Sequence, residues 1–183
     1  MESYTLLYCN NVLFSHFQSC RNPLGTDCYW YQDCLDKYNP CYGSDEYAIS
    51  YGYHYCNQYT MNLYRFSSRA QDWIRKTKRC LQLALKSYVG TSISCSALKK
   101  AAFDSHTKCY VDNGFCDLST SDYKEITKLV GNALIPFSGS AWLTSVNGGS
   151  TLYSCSRRYA SALADDVRDS YRNVVNSLKD FFG

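Results

Sequence analysis

Residues 79–134 read RCLQLALKSYVGTSISCSALKKAAFDSHTKCYVDNGFCDLSTSDYKEITKLVGNAL, and the spacing of their apolar residues decides the fold. Ser94 is placed to cap a helix that carries Cys95, Leu98, Ala102 and Cys109 on one face and stops at Gly114. Upstream, Cys80, Leu81, Ala84, Leu85 and Tyr88 continue a stripe begun by Trp73, Ile74 and Thr77, which Gly90 closes. Downstream, Asp122 and Glu125 open a short helix with Ile126, Leu129, Val130 and Ala133, ended by Pro136. Strict apolar–polar alternation, the mark of a half-buried strand, is scarce.

The same period extends outward. In residues 27–38, Trp30, Cys34, Leu35 and Tyr38 share a face, with Asp27 as a cap and Asn39-Pro40 as the stop. Residues 45–66 set Ala48, Tyr51, Tyr55, Tyr59, Leu63 and Phe66 in a stripe that Gly52 weakens, and Ser68 with Gln71 reads as a capping box. Residues 136–151 read as a loop. The longest predicted helix follows, over about 151–182, with Leu152, Cys155, Tyr159, Leu163, Val167, Tyr171, Val174, Leu178 and Phe181 as its stripe. The pattern predicts an all-α fold of six to seven helices, in one domain over 1–183, with a long C-terminal helix.

The chain holds 11 cysteines in 183 residues. None forms Cys-x-x-Cys and no suitably spaced histidine pair follows a cysteine pair, so structural zinc is not expected. Disulfides in a secreted protein are the simpler reading, since a reducing cytosol would leave these thiols free. An odd number leaves one cysteine, free or bonded to another chain. The net charge is +3. The densest basic stretch, Arg75, Lys76, Lys78 and Arg79, falls on a predicted helix face, and nucleic-acid binding is not expected. No apolar run approaches the ~18 residues needed to span a bilayer. The opening MESYTLLYCNNVLF lacks the basic and apolar regions of a signal peptide, so a secreted chain is expected to be numbered from after its leader, or with Met1 in the leader's place.

The cysteine string within 79–134 resembles the core of the stanniocalcins: a helix with Cys80, a helix from Cys95 to Cys109, Cys-Tyr at 109–110, then Cys116 and a short helix with Glu125-Ile126. The gap from Cys56 to Cys80 and a late Cys155 fit too, so the resemblance covers about 20–156, with 1–19 as an extension. It implies a secreted, disulfide-bonded, helical hormone-like protein with bridges Cys20–Cys34, Cys28–Cys56, Cys41–Cys95, Cys80–Cys109 and Cys116–Cys155. Cys95 and Cys109 lie fourteen residues apart, near four helical turns, so one helix can be tied to two neighbours. The chain departs from the pattern in two ways. The family's chain-linking cysteine beyond the position of Cys155 is missing, and so is its N-glycan sequon. Cys9 matches no family position and is left as the intermolecular or free thiol.

Of 18 tyrosines, 12 lie in residues 1–64. They read either as the rim of a core or as a contact surface for protein or glycan, with Tyr29, Trp30, Tyr31, Tyr42, Tyr47, Tyr51, Tyr53 and Tyr55 as the candidate interface. Thr144, Ser145, Ser150 and Thr151 are candidates for O-linked sugar. His16, His54 and His106 sit in no catalytic motif, and His106 is expected at the surface or half-buried. His54 in SYGYHYC faintly suggests a secreted phospholipase, but the Cys-Cys-x-x-His-Asp constellation and calcium loop are absent. Asp112-Asn113-Gly114 reads as a helix-ending turn, and Asp165, Asp166 and Asp169 as a solvated face. No catalytic residue, metal or cofactor is expected. The resemblance implies a non-enzymatic signalling ligand or inhibitor acting by protein–protein association, including with itself as a dimer. The tyrosines and Cys9 keep open a subunit of an extracellular filament or sheath, and exposed aromatics a carbohydrate-binding module.

Overall fold

The computed structural model describes residues 20–130, 150, 151 and 153–155. Every element among them is helical. Four α-helices, α1 (His54–Met61), α2 (Ser68–Leu85), α3 (Cys95–Asp112) and α4 (Thr120–Val130), are preceded by two π-helical turns, Tyr31–Asp36 and Ala48–Tyr53. The predicted helix over 27–38 is the first of these turns. The predicted 45–66 stripe divides into the second turn, α1 and a 3-10 turn at Leu63–Arg65. Residues 150, 151 and 153–155 are helical, so Ser150, read as part of the 136–151 loop, belongs to the helix that follows; residues 136–149 and the rest of the predicted 151–182 helix lie outside the described residues, as does Ala133.

Gly52 lies inside the second π turn. The Tyr51 and Gly52 N–H groups both donate to the Tyr47 carbonyl, at 3.1 and 2.9 Å, which inserts one residue into the turn. A Cβ on Gly52 would lie 2.5 Å from the Tyr31 ring, so only glycine lets the two π turns approach this closely. Asp27 does not cap the first π turn: the N-cap there is Trp30, with no side-chain cap bond, and Asp27 Oδ1 accepts instead from the Tyr29 N–H at 2.8 Å in the turn that leads in.

The α2 N-cap is Ser67, one residue before the predicted Ser68: its Oγ accepts from the Ala70 N–H at 3.2 Å. A distant carboxylate selects it. Asp122 accepts from the Ser67 N–H (2.9 Å) and hydroxyl (2.8 Å), and also from the Ser119 hydroxyl (2.6 Å) and N–H (3.3 Å). Ser119 Oγ in turn accepts from the Asp122 N–H, closing a capping box at α4. One buried carboxylate therefore organises the starts of two helices. Ser94 caps α3 as predicted, its Oγ accepting from the Ala97 N–H, and Gly114 ends it at φ 98°.

Two apolar clusters result. The first joins Trp30, Tyr31, Cys34, Leu35, Tyr47, Ala48, Leu85, Val89, Leu98, Ala102 and Phe103; the second gathers Phe66, Ala70, Trp73, Ile74, Phe115 and Leu118. Two buried amides fasten loops to them. The Gln82 amide accepts from the Gly25 N–H (3.1 Å) and donates to the Asp27 carbonyl (2.8 Å), while Asn39 donates to the Thr91 carbonyl and accepts from the Gly90 N–H. Gly25, at φ 80°, lies against the backbone of α2, where an added Cβ would sit 2.5 Å from the Arg79 Cα.

Two outcomes follow from these contacts. Gly25→Ala combines a left-handed backbone with a backbone clash, and urea unfolding is expected to show a loss of about 2–3 kcal/mol. For Asp122, burial pushes the carboxyl up, but the hydrogen bonds from Ser119 and Ser67 outweigh it and hold it below its ordinary value. Its stabilisation is therefore full above the unfolded carboxyl pKa of about 3.9 and lost as pH falls through the lower folded value. Unfolding midpoints measured from pH 7 to pH 2 should show Asp122→Asn less stable than the parent at neutral pH, with the gap closing below about pH 4.

Candidate functional site

The aromatic side chains that read either as a core rim or as a contact surface divide, and several of them form the interior. Trp30, Tyr31 and Tyr47 are buried, Tyr47 to 3% exposure, so they are core residues and not an interface, because packed rings leave no area for a partner. Tyr51 and Tyr55 are half-buried beside them. Trp30 packs edge-on to Tyr31 (5.3 Å between ring centroids), Tyr31 on Tyr47 (6.4 Å) and Tyr47 on Phe103 (5.6 Å). Phe103 stacks on His106 (5.4 Å), which meets Tyr110 (5.4 Å), and Tyr110 contacts Trp73 and Phe115. A continuous aromatic chain thus joins the first cluster to the second through α3. The placement Phe103, His106, Tyr110 was visible as i, i+3, i+7 on the predicted helix.

His106 is buried, beyond the surface or half-buried position expected from sequence, because the phenyl and phenol rings around it exclude water. Its Nδ1 lies 2.8 Å from the Ala102 carbonyl. Burial pushes its pKa down to about 4, against a smaller upward effect of the Ala102 and Phe103 backbone. Burial likewise pushes the hydroxyls of Tyr31, Tyr47, Tyr59 and Tyr110 up, so they stay protonated throughout the physiological range. These rings, with Trp73, Ile74 and Thr77, line a cavity of about 50 Å³. That is room for one or two waters and not for an organic ligand. The Thr77 hydroxyl is buried without a protein partner among the described residues.

Other predicted positions divide. Tyr29 and Tyr42 are exposed, Tyr42 to 85%, and Tyr53 is half-buried, its ring tilted on Tyr29 at 5.5 Å. Tyr64, Met61 and Leu24 are exposed apolar residues that sequence reasoning did not single out. Of the sugar candidates, Ser150 is exposed, whereas Thr151 is 1% exposed and its hydroxyl donates to Thr107 Oγ1 at 3.3 Å; a buried, bonded hydroxyl is closed to a transferase. Thr144, Ser145, Cys9 and His16 lie outside the described residues. No helix among the described residues is long and apolar enough to cross a membrane, and none of their His, Cys, Asp and Glu groups is arranged to hold a metal ion.

The bridges unite the site. The structure pairs Cys20–Cys34, Cys28–Cys56, Cys41–Cys95, Cys80–Cys109 and Cys116–Cys155, the pairing that the stanniocalcin resemblance implied. A model of the stanniocalcin family matches residues 33–180. The chain belongs to the stanniocalcin family. In this stanniocalcin-family chain the match begins and ends later than the span over which cysteine spacing carries the likeness, so the bridges of Cys20 and Cys28 each have one end before it. Comparison with curated proteins and with solved structures gives no match.

His106 gives a direct measurement. Its folded pKa lies below the unfolded value of about 6.5, so the unfolded chain binds the proton first and stability falls as pH drops from about 6.5 to 4, then levels off. Proton NMR of the imidazole should give a midpoint about 4; a midpoint near 6.5 would place the ring in water.

Proposed function

We propose that this protein is a secreted, non-enzymatic, hormone-like ligand or inhibitor that acts by protein–protein association. The observation that carries the proposal is the five-bridge helical frame within a stanniocalcin-family match. Disulfides at this density fit an oxidising compartment and a surface that must hold its shape while it binds. Exposed Tyr29 and Tyr42, with half-buried Tyr53 against Tyr29, offer rigid, amphipathic contact area, the composition favoured at interfaces.

Self-association is part of the same reading. Ten of the 11 cysteines bond one another, so Cys9 has no cysteine left in its own chain. It is proposed as the inter-chain link, in place of the C-terminal cysteine of the family.

Light scattering on oxidised, never-reduced protein tests this. A mass of about 42 kDa, twice the 20.9 kDa chain, is expected, as for a closed two-fold pair. Cys9→Ser should abolish the covalent dimer on non-reducing gels and leave the helical circular dichroism unchanged. A large, heterogeneous species would instead favour the filament subunit, and misfolding of Cys9→Ser would show that Cys9 belongs to the fold.

A further inference from the structure

The solvent face of α2 is a line of cations that the proposed function does not use. Residues 68–86 contain Arg69, Arg75, Lys76, Lys78, Arg79 and Lys86 against a single acid, Asp72, a balance of +5 where the whole chain carries +3. At 100° per residue, Arg69, Arg75, Lys76, Arg79 and Lys86 fall within one third of the helix circumference. All five are exposed. The opposite face carries Ala70, Trp73, Ile74, Thr77, Gln82 and Leu85 and is buried. From Arg69 to Lys86 the row runs about 25 Å along the axis.

Most of this charge is uncompensated. Asp72 pairs with Lys76 at 2.7 Å. Arg75 donates to the neutral Gln71 amide and Arg69 to the Asp117 carbonyl, and neither partner carries charge at the bonding atom. Among the described residues no ion pair involves Arg75, Arg79 or Lys86. Lys78 stands at the flank, half-buried, donating to Thr60 Oγ1 at 2.7 Å, with Asp27 nearby. The exposed face of α3 differs. There Lys100 pairs with Asp104 and Lys108 with Asp112, which leaves little net field.

We propose that the exposed face of α2 is a docking surface for a linear sulfated polysaccharide of the heparin type. Ile74-Arg75-Lys76-Thr77-Lys78-Arg79 is the kind of short Lys/Arg-rich stretch that forms anion patches, here held on one rigid helix. Guanidinium groups bind tetrahedral oxyanions with two parallel hydrogen bonds, and a straight row of them matches a chain of repeating sulfates. Two other polyanions fit less well. Single-stranded nucleic acid uses exposed rings for base stacking, and this face has none. An anionic membrane is bound by helices that insert their apolar side, whereas the apolar side of α2 is already spent on the core. The proposal presumes the extracellular setting argued above, but binding in vitro does not depend on secretion or on dimerisation.

The test is heparin-affinity chromatography of the full oxidised chain at neutral pH, beside a plain sulfonate exchanger. The parent is expected to leave heparin at higher salt than the exchanger. Arg75→Gln with Arg79→Gln should lower elution from heparin and reduce the slope of log affinity against log salt by about two. Lys100→Gln with Lys108→Gln removes the same charge from α3 and should leave heparin elution nearly unchanged. A second α2 pair, Arg75→Gln with Lys86→Gln, guards against misfolding of the first, checked by circular dichroism. Equal elution from the two resins, or equal loss from the α2 and α3 pairs, would overturn the proposal. Displacement by polyuridylate, polyglutamate or phosphatidylserine vesicles as readily as by heparin would overturn it as well.

Discussion

The constraint on which the rest of the structure depends is the fastening of α3 at both ends. Cys95, at its first residue, is bonded to Cys41, and Cys109, in its last turn, to Cys80 on α2. A helix pinned at two points on one side presents a fixed face inward, and that face carries Leu98, Ala102, Phe103 and His106. The chain segments closed by these two bonds span 54 and 29 residues, so each removes considerable freedom from the unfolded chain, typically ~2–4 kcal/mol apiece. The aromatic interior is then packed against a rigid wall.

That wall explains why tyrosine can serve as a core residue here. A buried phenol costs stability unless its hydroxyl finds a partner. Tyr31 and Tyr47 pair with each other, and the Tyr123 hydroxyl donates to the Phe115 carbonyl at 2.7 Å. Large flat rings fill the space between helices that the disulfides tie together, beside buried aliphatic side chains such as Leu35, Leu85 and Leu98. The neutral His106 belongs to the same logic, as a ring that bridges two clusters and spends its Nδ1 on its own helix.

Much of this was legible in the sequence and some was not. The helical period with its stops at Gly90 and Gly114 stands in the chain, because caps and apolar stripes are local properties. The bridge pairing came from resemblance, since spacing alone leaves many connectivities open. The misassigned residues share one cause, dependence on distant partners. Ser67 rather than Ser68 caps α2 because Asp122, 55 residues on, reaches it. Trp30, Tyr31 and Tyr47 are inside because two π turns meet over Gly52, a contact no local window contains. Thr151 is closed off by Thr107, 44 residues before it.

Two of the asparagines that end helical segments, Asn39 and Asn113, will age differently. Loss of an asparagine side-chain amide proceeds through attack by the backbone nitrogen of the next residue. At Asn39 that nitrogen belongs to Pro40 and carries no hydrogen. The amide that holds Gly90 and Thr91 is therefore protected from the reaction that would turn it into a carboxylate beneath that turn. At Asn113 the next residue is Gly114, the least hindered of all, and among the described residues the side chain is held by the 2.6 Å bond from its amide to the Cys109 carbonyl. Chemical wear therefore begins at the end of α3, beside the Cys80–Cys109 bond, and spares the clamp at Asn39.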